Sequence, residues 1–266
     1  MSEGKARPHV AVVTGAGSGM GRACVDRARS VADVVVAVDI AAPDIDDTIG
    51  VATDVANLDA VRALADRVGD TGTFRALIHA AGISPTMADA RRVIDVDLVG
   101  TELLLNAFEG LVSDGSAAVC FSSSAAYTIA PFMTPDLELL VADPLGDGFL
   151  DRAVEAVGDN SGFAYALAKV GVIRAAARAA VRWGPRGGRV NSLAPGLIDT
   201  PMGRQEFAQQ PVMAEMLAQT PLGRLGEADE VAAVVAFLVS DAASFISGID
   251  VLVDGGQIQG TRAAAV

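Results

Sequence analysis

Short continuous apolar runs alternate along this chain with longer stretches whose apolar residues recur every three or four positions. Runs at residues 10–13, 34–38, 74–78, 117–121, 190–193 and 249–253 predict strands. They are apolar at successive positions, not at alternate ones, which is the pattern of strands covered on both faces in a parallel sheet. A weaker run at 49–53 predicts a seventh strand. Residues 20–29, 58–68, 88–111, 164–183 and 227–239 carry helical spacing and fall between the strands. Strand–helix alternation of this kind predicts an α/β chain, a three-layer doubly wound Rossmann fold on a parallel sheet of about seven strands with right-handed crossovers. There is no internal repeat and no linker rich in Gly, Pro or Ser, so residues 1–266 are expected to form one domain.

Two segments break the rhythm. Residues 125–162 hold Pro131, Pro135 and Pro144 among several acidic residues, and read as an irregular insertion. Residues 195–226 hold Pro195, Pro201, Pro211 and Pro221 together with Met202, Phe207, Met213 and Met216. A long irregular segment with apolar side chains is expected to act as a lid over a hydrophobic ligand.

Composition narrows the partners. Hydrophobic residues make up 51% of the 266 and aromatics 5%, which suits small-residue helix–sheet packing. The formal net charge is −13. A chain this acidic repels phosphate backbones and anionic lipid, so neither nucleic acid nor membrane is an expected partner. Cys24 and Cys120 are the only cysteines; one falls in a predicted helix and the other in a predicted strand, so no disulfide framework or metal site is expected. Residues 1–9 are polar without a hydrophobic signal core, and no apolar stretch reaches membrane-spanning length, so the expected location is cytoplasmic.

Two motifs carry chemistry. Gly15, Gly19 and Gly21 follow the first predicted strand and open a helix. Glycine there allows a tight turn and close backbone approach, and the helix N-terminus offers unpaired N–H groups to a pyrophosphate. Asp39 lies 24 residues beyond Gly15 at the end of the second strand. A carboxylate there accepts from a ribose diol and repels a 2′-phosphate, which favours NAD over NADP. Far downstream, Tyr165 and Lys169 are four residues apart and so share one helix face. A phenol beside an ammonium is a candidate acid–base pair. Free tyrosine titrates near pH 10, and one ammonium at about 4 Å in an effective dielectric of ~20 contributes about 4 kcal/mol, so Lys169, helped by the charge of an oxidised nicotinamide, is of the order needed to bring it near neutrality.

The spacing from Thr14 to Gly21 and the Tyr165–Lys169 helix together resemble the short-chain dehydrogenase/reductase family. Further matches run in family order along nearly the whole chain: Asp54-Val55, Ala81-Gly82, Ser122-Ser123-Ser124, Asn191 to Gly196, Thr200, and Asp254-Gly255-Gly256. The resemblance implies NAD contacts at Gly15, Ser18, Gly19, Met20, Gly21, Asp39, Ile40, Asp54, Val55, Ala81, Gly82, Tyr165, Lys169, Pro195, Gly196, Ile198 and Thr200. It implies a catalytic set of Tyr165, Lys169 and a serine, Ser123 by strand alignment or Ser124 if the strand slips by one residue. It also implies self-association through the long helices, as a homotetramer or else a dimer. The long Ser-to-Tyr insertion and the short crossover after Asp39 resemble the 3α-hydroxysteroid dehydrogenase branch.

The chain departs from the family in two places. His79 and Ala80 stand where the family has two asparagines, and His79 is expected to be a strand-end residue without a catalytic role. Asp97 stands where the family has its active-site asparagine, which puts the usual proton relay in question. Asp97 either keeps the asparagine's structural contacts near Lys169 or points away. The leading expectation is an NAD-dependent enzyme interconverting a hydrophobic secondary alcohol and its ketone. A sugar or polyol dehydrogenase and a non-catalytic nucleotide sensor are the alternatives.

Overall fold

We describe a computed structural model of the chain, covering residues 6–264; the first five residues of the polar N-terminal stretch lie outside the described residues. The first half runs β1 (His9–Thr14), α1 (Gly19–Ala28), β2 (Val34–Asp39), β3 (Ile49–Ala52), α2 (Leu58–Thr71), β4 (Thr73–His79), α3 (Ala90–Ile94), α4 (Gly100–Glu109) and β5 (Ala117–Phe121). The second half runs α5 (Ala125–Ile129), α6 (Pro135–Ala142), α7 (Phe149–Val157), α8 (Ser161–Trp183), β6 (Arg189–Pro195), β7 (Ile198–Asp199), α9 (Pro201–Gln209), α10 (Val212–Ala218), β8 (Gly226–Glu227), α11 (Ala228–Val239), β9 (Asp250–Val253) and α12 (Gln257–Ala264).

Seven strands form a parallel sheet in the order β3-β2-β1-β4-β5-β6-β9. This is the doubly wound Rossmann arrangement that the apolar runs predict. Successive strand residues face opposite layers. Val10, Val12, Val36 and Val38 pack with Leu64, Phe108, Val172 and Trp183 of α2, α4 and α8. Ala11, Val13, Val35 and Ala37 pack with Cys24, Val25, Val235 and Leu238 of α1 and α11. Both faces are covered, which is why the strands read as unbroken apolar runs. The chain leaves β1 towards β2 on one side and reaches β4 on the other, so a crevice opens between the carboxyl ends of β1 and β4.

The structure corrects the sequence reading in three places. The predicted helix over 88–111 is interrupted: α3 is separated from α4 by one wide π turn, Asp95–Val99. The extra residue in that turn lets Asp97 point inward. The segment 125–162, expected to be irregular, is mostly helical, and about half of 195–226 is helical too. Their prolines begin helices instead of breaking them: Pro135 follows the cap Thr134, and Pro201 follows the cap Thr200. Proline's fixed φ and missing N–H suit the first helical position. The helix α12 was not foreseen.

The insertion packs as a third cluster: Phe149, Ala153 and Val157 of α7 lie with Ile94, Leu98 and Leu167. Glu138 of α6 pairs with Arg174 of α8 at 2.7 Å, so the insertion covers part of the α8 surface. Phe149 is buried and holds this cluster to the α8 layer. Phe149→Ala is expected to cost ~3–5 kcal/mol of stability. Hydrogen exchange should show the protection of α7 falling before that of β1 and β4; uniform loss across the chain would contradict the separate packing of the insertion.

Candidate active site

The chain leaves β1 at Thr14 and turns through Gly15 into α1. Gly15 and Gly19 adopt left-handed backbone, with φ of +67° and +54°. A Cβ on Gly15 would stand 2.8 Å from the Ala80 carbonyl, and one on Gly21 would collide with the Gly15 carbonyl oxygen. The turn therefore packs backbone on backbone, which only glycine permits. Ser18 at the N-cap makes no side-chain capping bond, so the first-turn amides keep their donors for an anion.

Asp39 closes β2 beside this turn. Its Oδ2 accepts from the Gly17 amide at 2.9 Å and its Oδ1 from the Ile40 amide at 2.7 Å. Two backbone donors fix the carboxylate, and each oxygen keeps acceptor capacity for a ligand's hydroxyls. Asp54 accepts from the Ala56 amide at 3.0 Å and pairs with Arg92 at 2.8 Å, while Arg92 also holds Asp95 at 2.9 Å. Sequence reasoning missed Arg92, whose partner lies 38 residues away with no local signal. These groups line a cleft of about 370 Å³.

Gly15, Ser18, Gly19, Met20, Gly21, Asp39, Ile40, Asp54, Val55, Ala81, Gly82, Tyr165, Lys169 and Thr200 all line this cleft. Pro195, Gly196 and Ile198, assigned by resemblance to the same cofactor, line a neighbouring cavity instead. The reason lies in sheet order: β6 is two strands beyond β4, and its end opens past the serines of β5. The residues of the cleft offer the groups a dinucleotide needs, backbone donors at the α1 terminus and acceptors at Asp39.

At the inner end of the cleft, α8 presents Tyr165 and Lys169 one turn apart, with the Lys169 Nζ 5.4 Å from the phenol ring centre. Lys169 is buried; its Nζ donates to the Phe121 carbonyl at 3.2 Å and lies 3.4 Å from Asp97 Oδ2. Asp97 Oδ1 accepts from the Ile83 amide at 2.9 Å, and Oδ2 has no hydrogen-bond partner among the described residues. Asp97 thus points at Lys169, not away from it. Burial pushes its pKa up, and the Lys169 ammonium and Ile83 amide pull against that shift. A Cβ on Gly82 would stand 2.8 Å from Asp97 and 3.2 Å from Lys169, so this pair needs glycine beside it.

The three serines separate by partner. Ser122 donates to the Lys169 carbonyl at 2.9 Å. Ser124 is buried, and its amide donates to the Pro195 carbonyl at 2.8 Å. Ser123 is half-buried and lies beside the Tyr165 hydroxyl, where it lowers the phenol's pKa. The net shift of Tyr165 is nevertheless upward: burial dominates, and Asp97 and Glu206 add to it. Lys169, helped by the charge of an oxidised nicotinamide, is expected to bring the phenol towards neutrality, and the protein's own groups act against it. Its ammonium faces Asp97, whose charge acts on Tyr165 in the opposite sense.

His79 closes β4 and is buried. Thr101 donates its one hydroxyl proton to the Asp97 carbonyl at 2.6 Å, so it accepts from His79 Nε2 at 3.0 Å. His79 Nδ1 then accepts from Thr14 Oγ1 at 2.8 Å, and Thr14 accepts from the Ala81 amide at 3.1 Å. This chain of bonds fixes one neutral tautomer and ties β1, β4 and the π turn together. Burial, with help from Lys169, pushes the His79 pKa down to about 3.

Beyond Tyr165 lies a second cavity of about 850 Å³. It shares Met20, Ser122, Tyr165, Thr200 and Met202 with the cleft, so these residues sit at a junction. Its wall is largely the segment expected as a lid: Ile198, Met202, Phe207, Met213 and Met216, with Glu206 among them. Thr200 caps α9 within that segment, accepting from the Gly203 amide at 3.0 Å. Gln257 and Thr261 of α12 close the far side, and sequence reasoning missed both. The insertion contributes little here beyond Ala125, Thr128 and Gly162. Among the described residues, no group of three or more His, Cys, Asp or Glu is placed to hold a metal ion, and no helix is long and apolar enough to cross a membrane.

Comparison with known proteins gives the same outline. A family profile described as enoyl-(acyl carrier protein) reductase matches residues 151–257. The chain is 36% identical to cis-4-hydroxycyclohexanecarboxylate dehydrogenase of Sinomonas cyclohexanicum, over 93% of this chain and 95% of that one. It is 32% identical to a short-chain dehydrogenase/reductase of Alternaria brassicicola, over 77% of this chain and 76% of that one. Among solved structures, the 3α-hydroxysteroid dehydrogenase of Pseudomonas sp. B-0831 complexed with NADH superposes with a TM-score of 0.77 at 32% identity, covering 96% of this chain and 98% of that one.

The buried His79 makes a pH prediction. Its pKa falls from 6.5 unfolded to about 3 folded, so below pH 6.5 the unfolded chain binds a proton that the folded one does not. Stability therefore drops as the pH falls through that window. Relative to His79→Gln, the wild type should lose ~1.4 kcal/mol more per pH unit between about pH 6 and pH 4 in urea unfolding. Parallel stability curves would mean that His79 takes up its proton in the folded state.

Proposed function

The chain belongs to the short-chain dehydrogenase/reductase family, and we propose that it is an NAD-dependent oxidoreductase interconverting a hydrophobic secondary alcohol and its ketone, with a ring alcohol such as a hydroxysteroid as substrate. The observation that carries this reading is the junction. Tyr165, with Ser123 beside it, stands where the cleft meets an apolar cavity. The apolar lid supports a hydrophobic substrate over a polyol. An acid–base phenol poised at that junction supports an enzyme over a nucleotide sensor. Two relatives named for ring alcohols, a hydroxycyclohexanecarboxylate and a hydroxysteroid, support the same class.

NAD bound in the cleft would supply the hydride acceptor or, when reduced, the donor. Asp39 would hold the ribose diol, and the α1 amides the pyrophosphate. Ser123 would orient the substrate oxygen, and Tyr165 would exchange the proton with it. Lys169 would contact the cofactor's ribose and set the field at the phenol, with Asp97 holding its ammonium in place. The upward shift at Tyr165 keeps the phenol protonated, ready to donate to a carbonyl oxygen in ketone reduction. Alcohol oxidation needs the phenolate and so should carry a rate limb that rises towards alkaline pH.

Steady-state assays at 340 nm test this reading directly. Ring alcohols should reduce NAD much more efficiently than NADP, by about tenfold or more, with Asp39→Ala narrowing the gap. Tyr165→Phe should lose about a thousandfold in turnover while keeping NADH affinity. Near wild-type turnover in Tyr165→Phe, or equal use of both cofactors, would overturn it.

Asp97 yields a second test. Its charge raises the Tyr165 pKa, so Asp97→Asn should move the rising limb of alcohol oxidation to lower pH. An unchanged pH–rate profile with unchanged turnover would show that Asp97 does not act on the phenol.

A further inference from the structure

Several carboxylates packed against the helix layers of this fold are paired with a cation. Glu102 pairs with Arg178 at 3.0 Å, Glu109 with Arg182 at 2.8 Å, and Asp97 with Lys169 at 3.4 Å. Glu206 does not. It lies on α9, half-buried in the wall of the second cavity among Met202, Phe207 and Met213. Its carboxylate has no hydrogen bond and no ion pair among the described residues. Arg204, two residues away on the same lid, is held by Asp199 at 2.6 Å. Glu215, the other glutamate of this cavity, is exposed and so solvated.

Building on the function proposed above, we infer that Glu206 is a specificity residue that seats a positive charge, and that the substrate is a ring alcohol or ketone carrying a protonated amine. Glu206 is only half-buried, so water solvates its carboxylate, and a ligand that displaces this water must bring a counter-charge or strong donor in its place. A ligand ammonium can do so, because Glu206 and Tyr165 line the same cavity. Burial raises the Glu206 pKa with only Lys169 opposing, as for a carboxylate short of partners. The net charge of −13 draws cations to this mouth and repels carboxylates and phosphates. Glu206 also raises the Tyr165 pKa, so an ammonium seated on Glu206 would relieve part of that field as the substrate binds.

The test uses the NAD-loaded enzyme and three matched substrates: 3-aminocyclohexanol, 3-methylcyclohexanol and 3-hydroxycyclohexanecarboxylate. The amine should exceed the methyl compound in kcat/KM by about tenfold, with the carboxylate poorest. Glu206→Gln should cut the amine-to-methyl ratio by about tenfold, and Glu206→Lys should bring the carboxylate above the amine. An amine-to-methyl ratio equal in wild type and Glu206→Gln, or a wild type that prefers the carboxylate, would overturn the inference. So would preference for a neutral triol that depends on Glu206, since a hydroxyl donor would then be the occupant. Calorimetry of cyclohexylamine on the enzyme–NADH complex separates the two readings. Absence of turnover with any ring alcohol rejects the proposed function, whereas amine binding unaffected by Glu206→Gln rejects the role of Glu206.

Discussion

The buried contact between Lys169 and Asp97 is the constraint on which the rest of this site depends. Two oppositely charged groups lie almost without exposure beneath the junction of cleft and cavity. Each enters from a different element, Lys169 from the centre of α8 and Asp97 from the π turn before α4. Taking both from water is costly, and removing one partner of such a pair typically destabilises by ~3–5 kcal/mol. The neighbouring sequence serves the contact: Gly82 leaves room for it, and the Phe121 carbonyl and Ile83 amide supply hydrogen bonds. The Thr14–His79–Thr101 chain ends on the Asp97 carbonyl and anchors the π turn to the sheet.

That contact also governs the electrostatics of the phenol. An ammonium facing Tyr165 alone would stabilise the phenolate. Burial of the phenol, with Asp97 beside the ammonium and Glu206 across the cavity, raises the Tyr165 pKa. The balance is a property of four residues from three elements: Tyr165 and Lys169 on α8, Asp97 in the π turn and Glu206 on α9. Replacing the family's asparagine by Asp97 therefore changes the charge of the site while leaving the backbone contact at Ile83 in place.

Much of this was legible in the sequence where a local pattern carries it. The strands appear within a residue or two because burial on both faces makes their apolar runs unbroken, and the glycine turn is legible because backbone contacts exclude any side chain at Gly15 and Gly21. What stayed hidden depends on contacts remote in sequence or on one-residue changes of helical pitch. Prolines at 135 and 201 looked like breakers because their capping threonines went unread. The π turn leaves the apolar spacing of 88–111 nearly intact, so nothing flagged it. Spacing left the choice between Ser123 and Ser124 open, and in the fold it is Ser123 that lies beside the Tyr165 hydroxyl. The estimate of the pull of Lys169 on Tyr165, made with the nicotinamide's charge beside it, left out the burial of the phenol, which only the fold shows.

A double-mutant cycle on Lys169→Met and Asp97→Asn, read by chemical unfolding and by NADH affinity, tests the central claim most directly. If the pair is one structural unit, the double variant should be less damaged than the sum of the singles, with a coupling of ~1–3 kcal/mol in unfolding and a smaller one of the same sign in NADH binding. Strictly additive effects in both readouts would show that the two residues act independently and would contradict this account.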